Sequence, residues 1–262
     1  MMSMRLALLG GIYNNYRALQ AALCDIANRG VDGIYCLGDL GAFGPYPDRV
    51  FPLLHEAAVQ CIQGNYDNSL AGGLEDCQCG YTDPRDNYFA KISYRYTNEN
   101  TSPENKAWMG TLPHQLRLEV EGCRLLLCHG SPRKMNEFVW NTTSPSQFLG
   151  HLLEEAAADV VCATHTGIKW HRQISPGQHW INVGVLGRPE NDGATNVWYT
   201  LLELKAGQVN VEFVPVIYDH RALSEDMRKE RLPQEFIETI LTGWWTTCLE
   251  ILPHKERASG KF

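Results

Sequence analysis

The chain has 262 residues, 44% of them hydrophobic, and a formal net charge of −7. An acidic chain with no Lys/Arg block lacks the electrostatic footprint of a general nucleic-acid binder and has no polybasic patch to hold it on a membrane. No apolar run approaches the ~20 residues of a membrane span, and nine scattered cysteines, an odd number, argue against a disulfide framework.

The opening run, Leu6-Ala7-Leu8-Leu9, is too short for a signal-peptide core and leads directly into glycines. It reads as the first strand of a cytoplasmic protein. Leu19, Ala22, Leu23 and Ile26 then recur at helical spacing, with Gly30 as the stop. Gly33-Ile34-Tyr35-Cys36-Leu37 is a second strand and runs into Gly38-Asp39-Leu40-Gly41. A carboxylate there, in a glycine-rich turn at a strand's carboxyl end, occupies the place where open α/β sheets bind ligands. An Asp that merely caps the next helix gives the same local pattern. Pro47 can begin a helix carrying Val50, Leu53 and Leu54. Residues 59–62 form a third strand, ending in Gly64-Asn65-Tyr66-Asp67. Strand and helix thus alternate over the first third, as in a mostly parallel sheet.

Residues 69–85 are irregular and contain Cys77 and Cys79; a loop this long, starting at the end of a site strand, is expected to cover the site. Residues 86–112 read as two helices broken near Thr101-Ser102-Pro103, and 116–120 with 124–128 as a hairpin around Glu121-Gly122. The hairpin's second strand ends in His129-Gly130-Ser131-Pro132. After a helix from about 145 to 157, strand 159–162 ends in Ala163-Thr164-His165-Thr166-Gly167. Segments 170–174, 180–183, 196–204 and 209–216 read as antiparallel strands of a second sheet, and the chain from 219 as a helical tail. One domain over 1–262, with a core of about 4–216, is the simplest organisation. Cys24, Cys36, Cys61, Cys128 and Cys162 sit in apolar runs and read as buried small hydrophobes.

Four apolar strands therefore end in a metal-capable residue, which places Asp39, Asn65, His129 and His165 on one sheet edge. A carboxylate, an amide oxygen and two imidazoles suit Zn²⁺, Mn²⁺ or Fe²⁺. The segments Gly38-Asp39-Leu40-Gly41, Gly64-Asn65-Tyr66-Asp67, His129-Gly130-Ser131-Pro132 and Thr164-His165-Thr166-Gly167 resemble the calcineurin-like metallophosphoesterases. The motifs of that family are D-x-H, GDxxxxG, GNH(D/E), HG and GHxH. The HGSP segment and the late turn Asn182-Val183-Gly184-Val185-Leu186-Gly187 are most similar to its small bacterial branch.

The resemblance covers roughly residues 4–190. It implies an α/β fold, a four-layer α/β/β/α sandwich of two mixed sheets, and metal-dependent hydrolysis of a phosphomonoester or phosphodiester. It also implies Asp39, Asn65, His129 and His165 as metal ligands, and catalytic roles for Asp39, Asp67 and Tyr66. Tyr66 stands where the family has a His acting as general acid or phosphate contact. The departures fall on one of the family's two metals. The D-x-H pair aligns with Gly11 and Tyr13, and the last His of GHxH with Gly167. One complete ligand set remains, so one divalent ion (Mn, Fe or Zn) per chain is expected. A second ion would need its own ligands ~3.5–4 Å away, with Tyr13, His171 or the Cys77/Cys79 pair as candidates. Tyr13, Tyr66, Arg133 and Arg188 are candidates to replace its charge. The leading expectation is a phosphoesterase acting on a small phosphorylated substrate. The alternatives are a weak or inactive pseudo-enzyme binding a phosphorylated ligand or a protein partner, and a different metal-dependent chemistry such as a lyase or redox step. A homo-oligomer is left open.

Overall fold

The computed structural model describes residues 3–258; the first two residues and the last four of the expected tail lie outside the described residues. In chain order the elements are β1 (Met4–Leu9), α1 (Tyr16–Ala27), β2 (Gly33–Cys36), α2 (Val50–Glu56), β3 (Gln60–Cys61) and α3 (Asn65–Gly72). They continue with α4 (Pro84–Asn100), α5 (Pro103–Met109), β4 (Gln115–Val120), β5 (Cys123–Cys128), α6 (Ser146–Glu155) and β6 (Val160–Ala163). The last third holds β7 (Trp170–Ser175), β8 (Gln178–Asn182), β9 (Val197–Lys205), β10 (Gln208–Val216), α7 (His220–Lys229), α8 (Gln234–Thr242) and α9 (His254–Arg257). None of the described helices is long and apolar enough to cross a membrane.

Two five-stranded sheets run in the orders β10-β9-β1-β2-β3 and β4-β5-β6-β8-β7. Side-chain alternation along β1 sets the layers. Leu6 and Leu8 face the other sheet, packing with Leu125, Leu127, Val160 and Ile181. Ala7 and Leu9 face outward onto Ala18, Leu19 and Ala22 of α1. The second sheet does the same: Leu126 and Val161 turn out against Leu149, Leu152 and Leu153 of α6. The result is the expected α/β/β/α sandwich.

The hairpin β4–β5 turns at Glu121 (φ 49) and Gly122 (φ 77), two left-handed residues in a row, as a tight hairpin turn requires. The break between α4 and α5 falls where expected, with Pro103 opening α5 and the Ser102 side chain accepting from the Asn105 N–H (3.4 Å).

Two assignments differ from the sequence expectation. The hairpin β9–β10 joins the first sheet, antiparallel to β1 with Leu6 opposite Leu202. β8 is parallel to β6. The reason lies in burial on both faces of β9: Tyr199 and Leu201 enter the helix-side core while Leu202 and Leu204 enter the core between the sheets. Such a strand belongs inside a sheet, and the free edge of β1 receives it. The irregular stretch is also shorter than expected, because α3 runs to Gly72 and α4 begins at Pro84. Finally, Cys77 and Cys79 are joined to each other, a local link across one loop, and Cys24 is exposed on α1, not buried.

The turns after β2 and β3 touch at two glycines. A Cβ on Gly38 (φ +88) would lie 2.1 Å from the Gly64 nitrogen, and one on Gly64 would lie 2.2 Å from Asp39 Oδ1. Gly38→Ala is therefore expected to cost about 3 kcal/mol or more of folding stability, from strain at a left-handed residue combined with backbone overlap. Equilibrium urea unfolding measures this; an unchanged midpoint would mean that the two turns can separate freely.

Candidate metal centre

Asp39 follows β2 directly and is itself left-handed (φ 58), a conformation that costs a non-glycine residue energy and is held by its neighbours. Its carbonyl accepts from the Ile12 and Tyr13 N–H groups (2.9 and 3.2 Å), which fastens the turn after β1 to the turn after β2. Asp67, in the first turn of α3, accepts from the N–H groups of Asp39 (2.8 Å), Leu40 (3.0 Å) and Gly64 (2.8 Å). Asp67 is fully buried and does not line the cavity described below. It is therefore a positioning residue, which clamps the turns that carry Asp39 and Asn65.

With the backbone clamped, four side chains meet. The Asn65 amide is oriented by its Nδ2, which donates to the Cys77 carbonyl (2.7 Å), so that Oδ1 turns to His129 Nε2 (3.1 Å). His129 Nδ1 lies 2.7 Å from the Leu37 carbonyl, which assigns the hydrogen to Nδ1 and leaves a lone pair on Nε2. That lone pair faces Asn65 Oδ1, Asp39 Oδ2 at 3.3 Å and His165 Nδ1 at 3.1 Å. Acceptors crowd one point, with at most one hydrogen, from His165, to share among them. His165 Nε2 is buried with no partner at all. Among the described residues, Asp39, His129 and His165 are the His, Cys, Asp and Glu side chains whose ligand atoms gather within 4.8 Å.

A cation resolves this crowding. Four donors around a divalent ion at ~2.1 Å sit about 3.4 Å from one another in a tetrahedron, close to the separations seen here. The donor set therefore fits Zn²⁺, Mn²⁺ or Fe²⁺. Electrostatics point the same way. Burial pushes the Asp39 carboxyl up, but the His129 and His165 imidazoles outweigh it and hold it below the usual carboxylate range. Burial pushes His129 down, yet Asp39 holds its imidazole above the ordinary value. His165, buried and beside His129, is pushed down to about 3 and is neutral. Burial and the Asp39 charge raise Asp67 to about 7 against its three N–H donors.

Beside the donors opens a cavity of about 50 Å³ walled by Tyr13, Phe43, Tyr66, Phe138, Arg188 and Trp245. Tyr13 does not approach as a ligand. Its ring lies over Gly11 and against Gly187, whose Cβ positions would be 2.3 and 2.2 Å from ring atoms. Burial and the nearby Asp39 raise its phenol, which stays protonated. Tyr66 donates its hydroxyl to Ser93 Oγ (3.0 Å), and burial raises its phenol as well. Arg133 is turned away, its Nε donating to Glu137 at 2.9 Å. His171 lies on the edge strand β7, 2.9 Å from His179. Cys77 and Cys79, joined as a disulfide, are not thiolate ligands. Their loop does reach the site, through the Asn65–Cys77 hydrogen bond and Cys79 in the cavity wall.

Sequence reasoning missed the contribution of the tail. Phe236, Trp245, Cys248 and Ile251 close the cavity from the far end of the chain. Trp245 Nε1 donates to the Pro189 carbonyl (2.7 Å) and its backbone N–H to Asn191 Oδ1 (2.9 Å). The one available signal was Gly243-Trp244-Trp245, two large aromatics just after a helix-stopping glycine.

A family model for the calcineurin-like phosphoesterase superfamily domain matches residues 4–207. An uncharacterized protein of Methanocaldococcus jannaschii is 25% identical over 258 residues, covering 93% of this chain and 100% of that one. Among solved structures, a hypothetical protein of Pyrococcus horikoshii has a TM-score of 0.76 at 20% identity, covering 93% of this chain and 100% of that chain. A metallophosphoesterase of Sphaerobacter thermophilus has a TM-score of 0.71 at 23% identity, covering 92% and 100%. At these identities the two structures show a shared fold.

Because a cation and a proton compete for the same His129 Nε2 lone pair, Mn²⁺ binding should release protons once the pH is lowered into the range where His129 titrates. The sign follows from the raised His129 value: affinity is highest above it and falls as pH drops through it, by up to about tenfold per unit. Calorimetry in buffers of different ionisation enthalpy reads the proton count; zero release across that range would contradict the competition for Nε2.

Proposed function

The chain belongs to the calcineurin-like phosphoesterase superfamily, and on that premise we propose that it hydrolyses a small phosphoester using a single divalent ion held by Asp39, Asn65, His129 and His165. The observation that carries this reading is the meeting of unshared lone pairs around His129 Nε2, with separations of 3.1, 3.1 and 3.3 Å. The residues aligned with the family's other metal are Gly11, Tyr13 and Gly167, none of which offers a carboxylate or imidazole.

When bound, a divalent ion at such a site polarises a phosphoryl oxygen and lowers the pKa of its water. The protein's own groups do the rest. Asn65 and His129 are each oriented by a second hydrogen bond, to Cys77 and Leu37, so the donors are held in place before any ligand arrives. The aromatic walls exclude water and strengthen every charge inside the cavity. Water adds to phosphorus and loses a proton, the bond to the leaving oxygen breaks, and that oxygen takes up the proton the water gave up. Tyr66, whose phenol keeps its proton well past neutral pH and donates it to Ser93 Oγ, shapes the wall beside the leaving oxygen and is not an acid that ionises. Asp39 contributes its negative charge to the ion, and Asp67 keeps Asp39 in its left-handed turn.

Purified protein should carry about one tightly held divalent ion. His165→Ala should reduce that to a small fraction of an equivalent and lower hydrolysis of p-nitrophenyl phosphate at least about 100-fold, while Tyr13→Phe leaves the metal content unchanged. Elemental analysis and steady-state kinetics on the same samples give both readings. Two tight ions per chain would overturn the single-ion reading, and absence of turnover with full metal loading would favour the pseudo-enzyme.

A further inference from the structure

Arg188 is only 8% exposed, and its Nε is buried without a partner. Among the described residues it makes no ion pair or hydrogen bond. Its guanidinium is instead stacked on Trp245, 3.5 Å from the ring centroid, with Phe43 at 5.9 Å. A buried charge without an anion is costly, and a planar guanidinium held by stacking presents its N–H fork edge-on. That edge borders the same cavity as Asp39 and His165. The stack is itself anchored, because the Trp245 indole donates to Pro189, the residue next to Arg188.

Two neighbours set the direction of approach. Arg188 Nη2 lies 3.8 Å from where a Cβ on Gly167, two residues after His165, would sit. The Tyr13 hydroxyl feels the charge of both Asp39 and Arg188, and it makes no hydrogen bond to the protein among the described residues. A guanidinium and a protonated phenol therefore converge beside the metal donors, each with hydrogen-bonding capacity unused. Each has an N–H or O–H donor to spare, so the ligand that fits between them is an anion rich in acceptor oxygens.

We propose that Arg188, assisted by Tyr13, binds the non-reacting oxygens of a phosphomonoester dianion and selects it over a phosphodiester. This rests on the metal-site reading above. The charge balance supports the choice. A divalent ion less the Asp39 carboxylate leaves one net positive charge, which matches a diester. Arg188 adds the second, which matches a monoester dianion.

The test uses the Mn²⁺-loaded full chain, with p-nitrophenyl phosphate and bis-p-nitrophenyl phosphate as substrates and inorganic phosphate as the probe. Arg188→Met should lower kcat/KM for the monoester roughly 100-fold and weaken phosphate inhibition by a similar factor, as expected from losing paired charge-assisted hydrogen bonds. The diester rate should change less than about threefold, and metal content should stay at its natural value. Arg188→Lys should recover part of the phosphate affinity, and Arg133→Met, at the exposed pair with Glu137, should change nothing. Equal losses on both esters, unchanged phosphate inhibition, or loss of metal in both Arg188 variants would overturn the proposal. If the natural protein turns over neither ester, the hydrolase reading fails by itself. Calorimetric phosphate binding to the natural and Arg188→Met proteins then decides this one.

Discussion

The Asp67 carboxylate accepts hydrogen bonds from Gly64, Asp39 and Leu40 and thereby makes one rigid piece of the turns that follow β2 and β3. Burial and the Asp39 charge raise the Asp67 carboxyl to about 7, so these bonds are strongest above that pH. They hold Asp39 left-handed, and Gly38 and Gly64 allow the two backbones to approach within a distance that no side chain would tolerate. The turn after β1 joins through the Asp39 carbonyl. Three strand ends of one sheet are thus locked before any ligand arrives.

The second sheet supplies the other half. His129 and His165 leave parallel neighbours β5 and β6, and the His165 N–H donates to the His129 carbonyl (3.0 Å), which fixes one imidazole relative to the other. The Leu37 carbonyl of the first sheet then receives His129 Nδ1 across the sandwich. The donor cluster is therefore also a bolt between the layers. Its mutual repulsion is tolerated because the cores on either side are fully packed around it, with Leu8, Leu37, Leu127 and Val183 all buried.

What surrounds the donors is aromatic for a polar site, and the tail completes that wall with Phe236 and Trp245. Arg17 and Tyr16 of α1 bind Asp226 of α7 (2.7 and 2.8 Å), which docks the helical tail and brings Phe236 and Trp245 over the opening. The tail is a wall of the site, not an appendage. The cavity's charge and shape thus come from opposite ends of the chain, with Tyr13 on one side and the Arg188–Trp245 stack on the other.

Much of this was legible in the sequence. The four donors could be read because each follows an apolar strand, and strand ends of an open α/β sheet share one edge. The hairpin at Glu121-Gly122 and the helix break at Pro103 follow from local backbone preferences that neighbours do not override. Local chemistry did not reveal the pairing of β9 with β1, since the same apolar pattern suits either sheet until the free edge is known. Nor did it reveal that Asp67 is a clamp, because a carboxylate after Asn65 reads alike whether it faces a ligand or three backbone N–H groups. The tail's contact with Arg188 joins residues 57 positions apart in the chain. Such a contact depends on where α7 and α8 dock, and docking is decided by the summed burial of many side chains. The sequence by itself determined which four polar side chains meet at the strand ends. Only the tertiary structure decided what closes over them, because that wall is assembled from segments with no local reason to meet.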